Sequence, residues 1–189
     1  MLYLELFFQG IVQGSIYALI ALGLTLVYGL LRILHVAHAA LFTLGGYLGV
    51  IVTNATGSFL LATALAMIVV GFVGIAVYKL AYEPLLSKPP FISLIASIAL
   101  FIASEEIFRI IFGPYGLSYT NPPMQGYFEL FGGFFLKYGE ALVIVLSVVM
   151  LVILGWFAAT TRLGVSWRAT VTDSDMASAF GINTQNVRY

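Results

Sequence analysis

Twenty-two consecutive residues, Gly10 to Leu31, carry no charge, and uncharged runs recur at Ile33 to Tyr78, Pro89 to Ser104 and Ala141 to Thr161. At ~1.5 Å of rise per residue the first run makes a helix of roughly 33 Å, enough to cross a hydrocarbon core of about 30 Å. The pattern predicts an all-α, polytopic membrane helix bundle whose solvent is lipid. Composition agrees: 61% of residues are hydrophobic and 8% charged, with a mean hydropathy of +1.05, far from the roughly 25% charged content of a soluble domain.

Zero net charge gives no electrostatic footprint for nucleic acid, and the lack of cysteine removes disulfides, thiolate catalysis and sulfur-ligated metals together. The opening MLYLELFFQG carries Glu5 and no basic residue. It lacks the positive n-region of a signal peptide, so it is expected to be mature sequence.

Five spans fit: Gly10 to Leu31, Ile33 to Thr53, Gly57 to Tyr78, Phe91 to Phe112 and Gly139 to Thr160. Only Arg32 separates the first two, which predicts a tight hairpin or a broken, re-entrant segment. Asn54 to Ser58 reads as a short turn, and Lys79 to Pro90, with three prolines, as a polar loop. Basic residues accumulate in short cytoplasmic loops. Arg32, Lys79, Lys88, Arg162, Arg168 and Arg188 fall on one side and Arg109 and Lys137 on the other. That asymmetry predicts a cytoplasmic C-terminus and, with five crossings, an outer N-terminus. The outer side then holds the long loop Gly113 to Tyr138, rich in glycine, proline and aromatic rings.

The pairs Gly10/Gly14 and Gly45/Gly49 each put two glycines on one helical face, where a neighbouring backbone approaches closely. Ordinary packing inside one subunit is the default reading for such pairs, and a dedicated dimer motif the alternative. His35 and His38 are one turn apart, but two imidazoles without a third ligand make a poor metal site, so a packed or cavity-facing role is expected. Near the end of the fourth span Glu105 and Arg109 stand at i, i+4, the spacing of a helical ion pair. No G-x-x-x-x-G-K-[ST] occurs, so nucleotide phosphates have no P-loop here. Nothing pairs a nucleophile with a base at motif spacing. No catalytic residue, cofactor or metal is expected.

After the fifth span comes the polar stretch TTRLGVSWRATVTDSDMASAFGINTQNVRY. A short helix is specified inside it: Thr172 as N-cap, Asp173 and Asp175 at the positive end of the dipole, Val171 stapled onto Met176, Gly181 as the stop and Ile182 beyond it. Met176, Ala179 and Phe180 share a face. That face either packs on the chain's own membrane helices or presents an apolar knob to a cytoplasmic partner.

Several segments, in order, resemble the permease subunits of branched-chain amino-acid ABC importers, the LivH/LivM type. They are QGSIYALIALGLTLVYGLLRILHVAHA at the first span and its exit, YEPLLSKPPFISLIASIAL entering the fourth, IFGP at its end, and TRLGVSWRATVTDSDMASAFGIN near the C-terminus. The resemblance implies a transmembrane permease domain over residues 1–161, expected to be partial. It also implies a cytoplasmic coupling segment over 162–189, in which Asp175, Met176, Ala177, Phe180, Gly181 and Ile182 dock on an ATPase. Implied partners are lipid, a second permease subunit, two ATP-binding subunits and an extracytoplasmic substrate-binding protein, all at the cell's inner membrane.

Two departures stand out. After the first span such permeases commonly read Asn-Phe-Ala-His-Gly and an acidic residue, whereas this chain has His35-Val36-Ala37-His38-Ala39-Ala40. His38 is the histidine that matches and is expected to matter more than His35. The family also continues with further membrane helices where this chain stops at Tyr189, so a truncated permease is expected. The rival from another class is an ATP-independent secondary transporter or channel for a small apolar or amide solute.

Overall fold

The computed structural model describes residues 2–31, 34–130 and 134–183. Arg32 and Arg188, two of the residues behind the orientation argument, lie outside them, as do 1, 33, 131–133, 184–187 and 189. Among the described residues five helices are long and apolar enough to cross a membrane: α1 (Leu2–Leu31), α2 (His38–Thr56), α3 (Phe59–Val77), α4 (Pro90–Phe112) and α5 (Tyr138–Thr160). A two-stranded antiparallel ribbon, β1 (Tyr127–Leu130) and β2 (Phe134–Lys137), precedes α5, and two shorter helices, α6 (Arg162–Thr172) and α7 (Ser174–Ala179), follow it. Among the described residues the fold is the expected all-α membrane bundle, with the ribbon as its single departure.

The chain divides into two compact units, Met1–Leu31 with Met124–Tyr189, and Arg32–Pro123. In the second unit α2 and α3 form a tight antiparallel pair. Gly57 takes the left-handed conformation (φ 71°) that ends α2, returning its N–H to the Thr53 carbonyl at 2.8 Å, and Ser58 is already the N-cap of α3. The turn expected over Asn54 to Ser58 therefore shrinks to two residues, because a glycine stop abuts a serine start.

Where its helices meet, this unit buries small residues, Ala40, Ala62, Ala66, Ser93 and Ser97, while many leucines, isoleucines and phenylalanines are exposed. Lipid supplies no hydrophobic drive between helices, so close backbone approach does the packing, and small residues at i, i+4 permit it. Gly45 belongs to this seam, with Val70 of α3 in van der Waals reach.

Lys79 to Pro90 is not the expected loop. Helical winding continues past α3 as one wide turn with π geometry, Tyr78–Tyr82, and then a 3₁₀ turn, Glu83–Leu85. Pro84 falls at the start of the 3₁₀ turn and Pro90 at the first position of α4, where a missing N–H costs nothing. The second span likewise begins at His38 and not Ile33, since residues 34–37 turn before the helix starts. At the far end of this unit Asn54 clamps the loop that follows α4, donating to the Ser118 carbonyl (3.0 Å) and accepting from the Thr120 N–H (2.9 Å). Tyr47 stacks on Phe112 with ring centres 4.2 Å apart.

In the first unit α1 packs along α5, and α5 meets α6 at a sharp corner. Thr161 makes that corner: extended itself, it donates its hydroxyl to the Phe157 carbonyl (2.7 Å) and accepts from the Gly164 N–H (2.9 Å). One side chain thus closes one helix and opens the next. Gly164 is required there, because a Cβ would collide with the Phe157 carbonyl and the Ala158 backbone.

Candidate functional site

α6 lies against the end of α1. Val171 approaches Gly29 most closely and Trp167 sits beside it, so the segment after the last span leans on a membrane helix. Arg168 reaches the Ala159 carbonyl at 3.5 Å, toward the negative end of the α5 dipole. The sequence reading found no helix over 162–172, and Thr172, the expected N-cap, is instead its last residue, with its hydroxyl turned back to the Arg168 carbonyl. Its few apolar residues are spaced helically, but the stretch as a whole is polar. The signals that could have found it are Thr161 as N-cap and the Leu163, Trp167, Thr170 spacing.

The N-cap of α7 is Asp173, one residue later than expected. Its carboxylate accepts from the backbone N–H groups of Asp175 and Met176, both at 3.0 Å. A carboxylate satisfies orphan donors as a hydroxyl does and adds favourable charge at the dipole's positive end. At the other end Gly181 is left-handed (φ 83°), and the Ile182 N–H returns to the Ala177 carbonyl at 3.1 Å, closing a Schellman-type stop. Two turns alone are marginal; both ends here are tied by hydrogen bonds. Ala177 is the buried residue that seats the helix, whereas Met176 and Phe180 are 60% and 83% exposed. Asp175 is exposed beside them, and Ile182 is half-buried.

The second unit contains a polar cluster that sequence reasoning missed. His35, in the turn before α2, shares a 2.7 Å hydrogen bond between Nδ1 and the Tyr82 hydroxyl, across 47 positions of sequence. The Tyr82 hydroxyl also lies near Ser97 of α4. The Ala37 N–H donates to the Ser97 Oγ at 3.1 Å. All four residues are buried. Burial, and then the charge that His38 can carry, hold the His35 imidazole down at about 4, so the ring is neutral at physiological pH. His38 starts α2 half-buried, its ring centre 6.0 Å from that of His35. The structure therefore gives the richer contacts to His35 and not to the motif-matching His38.

Gly49 approaches the Tyr119 hydroxyl, whereas Gly10 and Gly14 have nothing within contact distance of a Cβ and lie on an open face of α1. Arg109 pairs with Glu106 at i, i+3 (3.5 Å), not with Glu105 as its i, i+4 spacing suggested. Among the described residues no three His, Asp or Glu side chains gather as metal ligands.

The family model for the permease component of the branched-chain amino acid transport system matches residues 6–189. The chain belongs to this family. Among curated proteins it is similar to the high-affinity branched-chain amino acid transport system permease protein LivH of Escherichia coli K12, with 27% identity over 198 residues covering 98% of this chain. It is also similar to BraD of Pseudomonas aeruginosa, a permease protein of the same description, with 28% identity over 199 residues. The chain spans 64% of the length of these relatives. No solved structure gives a significant match. In this family member, then, two places stand out: the capped helix α7 with its exposed Met176 and Phe180, and the buried cluster around Tyr82.

Proposed function

We propose that the chain is a membrane-embedded permease subunit of an importer for branched-chain amino acids, driven by ATP hydrolysis in partner subunits. The observation that carries this reading is α7: a helix fixed at both ends by capping bonds yet presenting Met176 and Phe180 outward. A six-residue helix gains nothing from that arrangement alone. It suits insertion into a groove of an ATP-binding subunit, with Asp175, Ala177, Gly181 and Ile182 shaping the inserted turn. Lacking a P-loop, the chain would draw its energy through this contact.

The same reading sets the N-terminus outside and residues 162–189 in the cytoplasm, together with Lys79, Lys88, Arg162 and Arg168. The open Gly10/Gly14 face of α1 would meet the second permease subunit, since small-residue stripes gain little from lipid. An extracytoplasmic binding protein would deliver substrate to the opposite side.

The test is reconstitution of the assembled importer in liposomes with labelled leucine. Uptake should require internal-facing ATP and survive collapse of ion gradients. Gradient-driven uptake without ATP would replace this reading with a secondary transporter.

A further inference from the structure

Two cavities in the second unit share the walls Ala40 and Phe108. One, of about 330 Å³, is bounded by Thr43, Tyr47, Phe101, Glu105 and Arg109. The other, of about 160 Å³, lies among α2, α3 and α4 and is lined by aliphatic groups, Leu41, Leu44, Val73, Val77 and Leu100. The first falls at the lower end of the roughly 300–1,000 Å³ range of small-molecule sites. The second matches the ~150 Å³ apolar cavities known to hold a six-carbon ring, so a branched four-carbon group fits it.

The charged groups on the first wall are unusual for a membrane helix. Glu105 lies seven residues before the last residue of α4, roughly 10 Å inside that end at 1.5 Å per residue. Ionisable side chains at such depth face protein or water-filled cavities. Arg109 spends one nitrogen on Glu106 at 3.5 Å and keeps most of its five donors. Glu105 forms no ion pair among the described residues. A carboxylate and a guanidinium thus line one cavity, one helical turn apart, without neutralising each other.

We propose that these neighbouring cavities, which share the walls Ala40 and Phe108, form a binding site for a zwitterionic α-amino acid with a branched apolar side chain. Glu105 receives the α-ammonium, Arg109 takes the α-carboxylate through its planar fork, and the side chain passes Phe108 into the aliphatic chamber. The proposal rests on the importer reading above and adds the place where the permease itself holds its cargo.

Equilibrium binding of labelled leucine to the complete assembly in nanodiscs, without the extracytoplasmic binding protein, reads the site directly. Glu105→Gln and Arg109→Gln should each weaken leucine binding at least tenfold. With Glu105→Gln, 4-methylpentanoate, which is leucine without its ammonium, should compete as well as leucine does, though it competes poorly in the unaltered assembly. Leu44→Phe narrows the aliphatic chamber and should move the leucine to valine affinity ratio at least fivefold toward valine, a readout that mere misfolding does not shift. Leucine binding unchanged by both charge substitutions, or a leucine to valine ratio unmoved by Leu44→Phe, overturns the site. Failure of the unaltered assembly to import any branched-chain amino acid removes the importer reading; import of leucine with unaltered binding in the variants removes the site alone.

Discussion

The α5–α7 corner and the Tyr82 cluster are held together by opposite means. At the corner nearly every bond is local: Thr161 to Phe157 and Gly164, Asp173 to Asp175 and Met176, Ile182 to Ala177. The result is a rigid backbone shape whose apolar side chains face outward. In the cluster the bonds run between distant segments, His35 to Tyr82 and Ala37 to Ser97, and every partner is buried. Local capping leaves side chains free for a partner, whereas long-range pairing consumes them. The first arrangement builds a surface to be recognised and the second a joint that fixes helices.

If that contrast holds, the largest effect of any single change belongs to Gly164, where local geometry leaves no room. Gly164→Val drives a branched side chain into the Phe157 carbonyl and the Ala158 backbone. Overpacking of this kind costs about 3 kcal/mol or more when only backbone can yield. The expected outcome is a several-fold loss of folded subunit in the membrane, read by protease resistance and by elution in mild detergent. Normal yield of the valine variant would mean that the corner is not the rigid element described.

Next come substitutions in the cluster. Ser97→Val strands the buried Ala37 N–H, at about 1–3 kcal/mol for a group left unsatisfied. His35→Ala should lower the midpoint of thermal unfolding more than His38→Ala, because only His35 has the buried bond to Tyr82. A larger drop for His38→Ala would return the weight to the motif-matching residue.

The cluster also confers a pH dependence. The folded His35 imidazole is held at about 4 against an ordinary 6.5, so its folded form binds protons less readily than its unfolded form. Its contribution to stability is fully present above pH 6.5 and declines as pH falls toward 4. Thermal unfolding measured across that interval should show a loss that His35→Ala reduces, the remainder coming from His38, which is half-buried as well.

The same contrast explains what could be read without a structure. The five spans were legible because a charge-free run long enough for a bilayer has few other solutions, and the Gly181 stop because few residues favour a positive φ. The shift of the α7 cap from Thr172 to Asp173 was not legible, since both residues cap well and only the length of α6 decides between them. The cluster was hidden for a different reason: no periodicity links positions 35, 82 and 97, and polar residues in spans read as isolated until folding brings them together. The Lys79–Leu85 turns were masked by prolines that punctuate loops as readily as they start helices. Glu105 was assigned to Arg109 because i, i+4 and i, i+3 spacings both bring helix neighbours together, and rotamers choose between them.

The smallest effect on stability, and the sharpest on the comparison, belongs to Met176→Asp. The side chain is 60% exposed and its backbone N–H is bound by Asp173 whatever the side chain is, so unfolding should shift by no more than about 0.5 kcal/mol. The new carboxylate stands next to Asp175 on the face proposed to enter an ATP-binding subunit, where desolvating a charge without a partner is costly. Membrane abundance should therefore match that of the unaltered subunit while co-purification of the ATP-binding subunit falls several-fold. Gly181→Ala provides the control for backbone as opposed to side-chain effects: it strains the left-handed stop by about 1 kcal/mol and leaves the Met176 side chain in place. Association lost in Met176→Asp but only partly reduced in Gly181→Ala, which deforms the inserted turn and keeps its side chains, identifies the outward side chains as the main recognised feature. Association kept in Met176→Asp would make α7 a second closed joint like the cluster, and not an exposed surface.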